Sequence, residues 1–168
     1  LLQRLLAGRT EFQRARDLVD DVGETAAPGD RLAALRAGAE IEIAWADLAP
    51  EEETLHLDAA EQALRAGLAL APRHPPLLNN LAMLLRRRGK LDEAEIHARQ
   101  LLALTPQIPE STLTLAAVLA GRDPSRETEA IALLRRALSS SPDHGMLHYN
   151  LAYSLLRLGR LQEAWPHY

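Results

Sequence analysis

The sequence predicts an all-α fold, an α-α superhelix of stacked antiparallel helix hairpins. Three observations carry that expectation. A pattern repeats at a step of 34 residues, from 57 to 91: Leu57, Asp58, Ala60, Leu68, Leu70 and Pro72 return as Leu91, Asp92, Ala94, Leu102, Leu104 and Pro106. The interval from alanine to proline is held in Ala60 to Pro72, Ala94 to Pro106 and Ala130 to Pro142, and a fourth copy opens at Leu161-Gln162-Glu163-Ala164. Apolar residues recur at three and four steps, with the breaks on glycine and proline, which is helical grammar. A fixed period of this size marks units that bury their apolar faces only against their neighbours.

Taken in chain order, residues 1–30 read as N-terminal capping helices and a linker. Leu5, Leu6, Phe12, Leu18 and Val19 are expected to face inward there, and Thr25 to Asp30 is expected to carry a helix start. An atypical end unit suits a solenoid, whose terminal repeat has one face without a neighbour. Residues 31–74 form a divergent repeat. Arg31 to Ala49 is helical through Leu32, Leu35, Ala39, Ile43 and Leu48, and Pro50-Glu51-Glu52-Glu53 lengthens the connection to the helix containing Ala60.

Residues 75–108 are the clearest hairpin. Leu77, Leu78, Leu81, Leu84 and Leu85 make a stripe that ends in Arg86-Arg87-Arg88-Gly89, basic residues before a glycine being a helix stop. Leu91 opens the second helix with Asp92 and Glu93 in its first turn, where acids suit the positive end of the helix dipole. Residues 109–144 repeat the scheme with a joint, Gly121 to Arg126, that is two residues longer, so its loop is expected to protrude. Ser139-Ser140-Ser141 before Pro142 reads as a loop. Residues 145–168 form a last, truncated repeat through Leu147, Leu151, Leu155, Leu158, Gly159 and Ala164.

These residues resemble the tetratricopeptide repeat (TPR) family. The matching positions are Leu78, Leu81, Ala82, Leu85, Gly89, Ala94, Ala98, Leu101 and Pro106 in one unit, and Thr112, Leu115, Ala116, Leu119, Ala130, Leu134, Ala137 and Pro142 in the next. The last unit supplies His148, Leu151, Ala152, Leu155, Gly159, Ala164 and Tyr168. The alanines sit where helix axes approach, since a large side chain there would push the axes apart.

The resemblance implies a groove lined by the first helix of each hairpin, and hence a protein-protein interaction scaffold that binds a peptide or protein partner. Carried over position by position, the partner-binding residues are Asn79, Asn80, Met83, Arg86 and Arg87, then Thr114 with Leu113 and Ala117, then Tyr149, Asn150, Tyr153 and Arg157. Asn80, Thr114 and Asn150 are equivalent positions. The amides of Asn80 and Asn150 either hold an extended backbone, since an amide both donates and accepts, or bond between neighbouring helices. Arg86, Arg87 and Arg157 either meet carboxylates of a partner or form solvated helix ends. The lysine, asparagine and arginine set by which chaperone-binding members hold two carboxylates is missing, so no chaperone tail is expected as ligand.

Composition narrows the function further. With 168 residues, 47% of them hydrophobic, the chain is expected to fold, and a net charge of −4 argues against a general nucleic-acid binder. Lys90 is the single lysine among the 19 basic residues. The absence of cysteine excludes disulfides and thiolate metal sites. No apolar run is long enough to span a bilayer, no signal-peptide pattern opens the chain, and a cytoplasmic location is the default expectation.

His144 and His148 have the spacing of two imidazoles on one helix face, but His144 lies at or before the helix start and no third ligand is near. His56, His74, His97 and His167 read as surface or loop residues. No phosphate loop, nucleophile elbow or paired-acid motif appears, so no cofactor, metal or catalytic residue is expected.

An alternative reading makes this chain the substrate-positioning arm of a larger enzyme. Leu158 to Tyr168 looks like the last repeat before a glycosyltransferase domain, which would lie beyond residue 168. Self-association through exposed terminal repeats is a third expectation.

Overall fold

The computed structural model of the protein describes residues 26–168 together with Gln13 and Asp17; the capping helices expected in residues 1–22 lie outside the described residues. Helices and short 3₁₀ turns make up every regular element among them. The chain divides into two compact units, residues 1–84 and 85–168.

In the first unit, α1 spans Pro28–Leu48. Proline near its start has a φ already set for the helix and lacks the N–H that would go unbonded there. A 3₁₀ turn, Pro50–Glu52, leads into α2, Glu53–Leu70. α1 and α2 pack together through Ala39, Trp45 and Ala46 of one and Leu57, Ala60 and Leu64 of the other, all buried. α3, Pro75–Arg87, begins in this unit and ends in the next. Its Leu77 lies so close to Gly67 that a Cβ on that glycine would come within 2.8 Å of the leucine Cδ1. Leu77 itself is fully buried, so a small residue at 67 lets α2 and α3 approach.

His56 departs from the surface position expected of it. It is buried in α2, its ring stacked on Trp45 with centroids 4.8 Å apart, and its Nδ1 is 2.7 Å from the Glu42 carboxylate. The position falls on the inward stripe beside Leu57 and Ala60. Burial is tolerated there because Nδ1 has the Glu42 carboxylate as partner and Nε2 lies 3.4 Å from that of Glu52.

The second unit repeats one hairpin design. α4 is Leu91–Leu104, α5 Pro109–Leu119, α6 Pro124–Ser140, α7 Gly145–Arg157 and α8 Leu161–Ala164, followed by a 3₁₀ turn over Trp165–His167. Consecutive helices pack on each other, and α5 also touches α7. Ala94, Ala130 and Ala164, one in each second helix, are all buried, as are Ala116 and Ala152 in the first helices. Each stands where a neighbouring helix leaves no room for more than a methyl group.

The hairpin turns are written by glycine. Gly89 and Gly159 have φ of 73° and 71°. At each, the glycine N–H bonds back three residues and the following N–H five residues, to Arg86 and Leu85 in one turn and to Leu156 and Leu155 in the other. This bonding closes the helix in the left-handed conformation that costs glycine least.

The longer joint after α5 is more ordered than the expected protruding loop. Asp123 caps α6 by accepting from the N–H groups of Ser125 and Arg126 at 2.9 and 3.0 Å. Bonding to the Ser125 hydroxyl, then to the Arg126 N–H, holds its carboxyl below the usual range. Arg122 turns back onto α4, where it pairs with Asp92 and, at 2.7 Å, with Glu95. Ser139 and Ser140, expected in a loop, complete the last turn of α6 instead.

Candidate partner-binding face

On α3, Asn79, Asn80 and Met83 are half-buried. Asn80 donates to the Glu40 carboxylate on α1 at 3.2 Å, and Asn79 donates to Asn80 at 3.4 Å. The Asn80 amide is therefore engaged between neighbouring helices of the first unit. Arg86 and Arg87 are exposed in the last turn of α3, where positive charge suits the negative helix end.

In the second unit, Thr114 is buried and its hydroxyl donates to the Glu110 carbonyl at 2.9 Å, while Leu113 and Ala117 are half-buried. The remaining four residues converge on α7. Steps of four and eight bring Tyr149, Tyr153 and Arg157 onto one face, with Asn150 at its margin. Tyr149 is 59% exposed and Tyr153 50%. Asn150 commits one amide N–H to its own helix, donating to the Met146 carbonyl at 2.8 Å.

Met146 and Leu156 lie on the same face, exposed, three residues before Tyr149 and three after Tyr153. The opposite face, Leu147, Leu151 and Leu155, is fully buried. α7 is thus apolar on both sides, and only one side is covered within the unit. Helical spacing alone places Met146 and Leu156 with the tyrosines, a signal present in the sequence but read there only for the aromatic and polar positions.

Arg157 ends this face and is held from two directions. Its guanidinium lies 5.9 Å from the centre of the Tyr153 ring, and its Nε donates to Glu127 at 3.1 Å. Bonding to Tyr153 first, then Glu127, raises its pKa further. Glu127 is buried in the first turns of α6, and its Oε2 also accepts the Gly121 N–H at 2.8 Å. One buried carboxylate therefore ties the α5–α6 joint to the end of α7. Sequence reasoning missed Glu127, because an acid near a helix start has a sufficient local explanation in the dipole.

His144 and His148 do not converge. His144 caps α7, its ring accepting from the Leu147 N–H at 3.4 Å, whereas His148 turns to His167, with Nδ1 atoms 2.8 Å apart.

The model of the tetratricopeptide repeat family matches residues 53–109 and 126–168. No curated protein sequence matches the chain. Among solved structures, MamA AMB-1 aligns with a TM-score of 0.69 at 23% identity, covering 98% of this chain and 89% of that one. A thermophilic TPR protein of Thermus thermophilus aligns at 0.60 and 21%, over 75% of this chain and 70% of its own. An O-GlcNAc transferase mutant of Thermobaculum terrenum aligns at 0.61 and 24%, over 78% of this chain but 23% of that one. At these identities the likeness is one of fold. With hairpins in register, glycine turns at matching positions and a family match over most of the chain, this protein belongs to the tetratricopeptide repeat family.

Proposed function

We propose that the protein is an interaction scaffold that binds a peptide or protein partner, with no chemistry of its own, and that the exposed side of α7 is a principal contact. The observation that carries this reading is the stripe of Met146, Tyr149, Tyr153 and Leu156 on a helix whose other side already forms the core. Tyrosine supplies large contact area with few rotatable bonds, and such residues dominate binding energy when a partner excludes water from them. Arg157 enters this contact already paired with Glu127, and Arg86 and Arg87, exposed at the end of α3, belong to the same assignment as groups that can meet an acidic part of a partner. Asn79, Asn80, Met83, Thr114 and Asn150 complete the assignment made from the repeat pattern.

The membership itself supports protein partners in general. No helix among the described residues is long and apolar enough to cross a membrane, and the acidic composition fits a protein that does not bind nucleic acid; a cytoplasmic location is part of this reading. The test is capture by the immobilised chain, compared with a Tyr149→Ala, Tyr153→Ala double variant and an Asn80→Ala, Asn150→Ala double variant. Helicity is expected to stay unchanged in both. A partner held at least tenfold more weakly by the tyrosine variant supports the face, and equal capture sinks it.

A second reading, the substrate-positioning arm of a larger glycosyltransferase-type enzyme, has support in the O-GlcNAc transferase among its structural neighbours. The intact mass of the natural polypeptide decides between them: a mass close to 18.5 kDa removes the arm, and one larger by a domain favours it.

A further inference from the structure

Beside the tyrosine face lies a cleft of about 390 Å³ between α7 and the turn 165–167, lined by Gly145, His148, Tyr149, Pro166, His167 and Tyr168. We propose that this cleft seats a proline ring of an extended, proline-containing protein segment, whose neighbouring residues run along Tyr149 and Tyr153. The proposal rests on the interaction-scaffold reading and names the chemistry of its partner.

The walls decide the class of guest. Four of the six lining residues are rings, and a fifth is itself a proline. None carries a carboxylate, ammonium or guanidinium side chain. The two imidazoles are stacked with centroids 5.1 Å apart and are occupied with each other and with the backbone. The His148 Nε2–H donates to the Pro142 carbonyl at 2.6 Å, which leaves His148 Nδ1 to accept from His167 Nδ1 at 2.8 Å. An anionic guest therefore meets no fixed cation in the walls. A cationic guest fares no better, because no carboxylate side chain lines the cleft to receive it.

An uncharged guest remains, and proline fits on two grounds. An ordinary peptide brings a backbone N–H at every residue, each needing an acceptor. Proline brings none, and its carbonyls match the donor character of the exposed Tyr149 and Tyr153 hydroxyls. A proline-rich segment also holds the polyproline II conformation before binding, so little ordering entropy opposes its stacking on aromatic walls. Tyr149 serves both the cleft and the stripe, which makes one continuous track.

The experiment titrates the chain with a fluorescein-labelled ten-residue oligoproline and, as control, a glycine-serine peptide of equal length, read by anisotropy. Oligoproline is expected to bind at least tenfold more tightly. Tyr149→Ala should remove that preference and Tyr149→Phe keep most of it, and the ring-proton resonances of His148 and His167 should shift during the titration while that of buried His56 does not. Equal affinity for the two peptides, an unaffected Tyr149→Ala variant or unmoved His148 and His167 resonances would each overturn the proline seat. A chain that captures a partner through its tyrosines yet ignores oligoproline keeps the scaffold function and loses only this inference.

Discussion

At a helix crossing the smallest side chain sets the distance. Ala94 and Ala130 have no exposed surface, and a leucine at either position has nowhere to put three further carbons. Ala94→Leu is expected to cost about 1–3 kcal/mol through overpacking, measured as a lower midpoint in chemical denaturation. The reverse change in the stripe, Leu151→Ala, should cost about 2–5 kcal/mol, because a fully buried leucine leaves a cavity. Gly89 acts through its backbone. With φ at 73° and nothing within reach of an added Cβ, Gly89→Ala should lose roughly 1–2 kcal/mol from conformational strain alone. An unchanged stability there would mean that the turn relaxes out of the left-handed region.

Between elements, charge adds to the apolar packing. Glu95 on α4 accepts from Arg99 of its own helix, from Arg122 in the α5–α6 joint and from Arg126 of α6, while Glu129 of α6 also accepts from Arg99 and Arg126. Arg135 and Glu163 join α6 to α8 in the same manner at 2.6 Å. Isolated surface pairs contribute little, but a half-buried network that shares its charges loses several bonds when one member is removed. Glu95→Gln is accordingly expected to cost roughly 1–3 kcal/mol. The deficit relative to the native chain should shrink in 1 M salt; a deficit indifferent to salt would assign the effect to packing. Burial pushes the Glu129 carboxyl up, yet the bonds and charges of Arg99 and Arg126 more than offset this and leave it lowered. A carboxyl with a lowered folded pKa is protonated first in the unfolded chain. Its stabilisation is therefore present above its ordinary value of 4.5 and lost as pH falls through the folded value.

For the molecule as a whole, His167 beside the tyrosine face adds a pH dependence. Burial, the neighbouring His148 and then Arg135 lower the pKa of His167 from its ordinary 6.5. A base with a lowered folded pKa binds its proton more readily when unfolded, so its contribution to stability is complete above 6.5 and declines as pH falls below that value. His167→Phe is expected to flatten the stability profile just below that value while retaining the stacking on His148. A profile identical to that of the native chain would remove His167 from the account. The exposed stripe on α7 and the cleft beside it share Tyr149, so the proposed contact and the histidine pair lie in one region of the second unit.

The period from 57 to 91, the alanines at the crossings and the glycines at the turns were enough to determine the fold, because each is a local rule repeated in register. The helical spacing of Tyr149, Tyr153 and Arg157 likewise puts them on one face without reference to any other helix. Other features depended on residues far apart in sequence. Arg157 is neutralised by Glu127, thirty positions away, and Asn80 is engaged by Glu40, forty away. His56 goes inside because Trp45 and Glu42 on the preceding helix receive it, and His148 finds His167 instead of His144. Periodicity states which side of a helix turns inward. Only tertiary packing decides which distant side chain waits there, since that depends on how closely neighbouring helices approach and on which polar atoms need partners once water is gone.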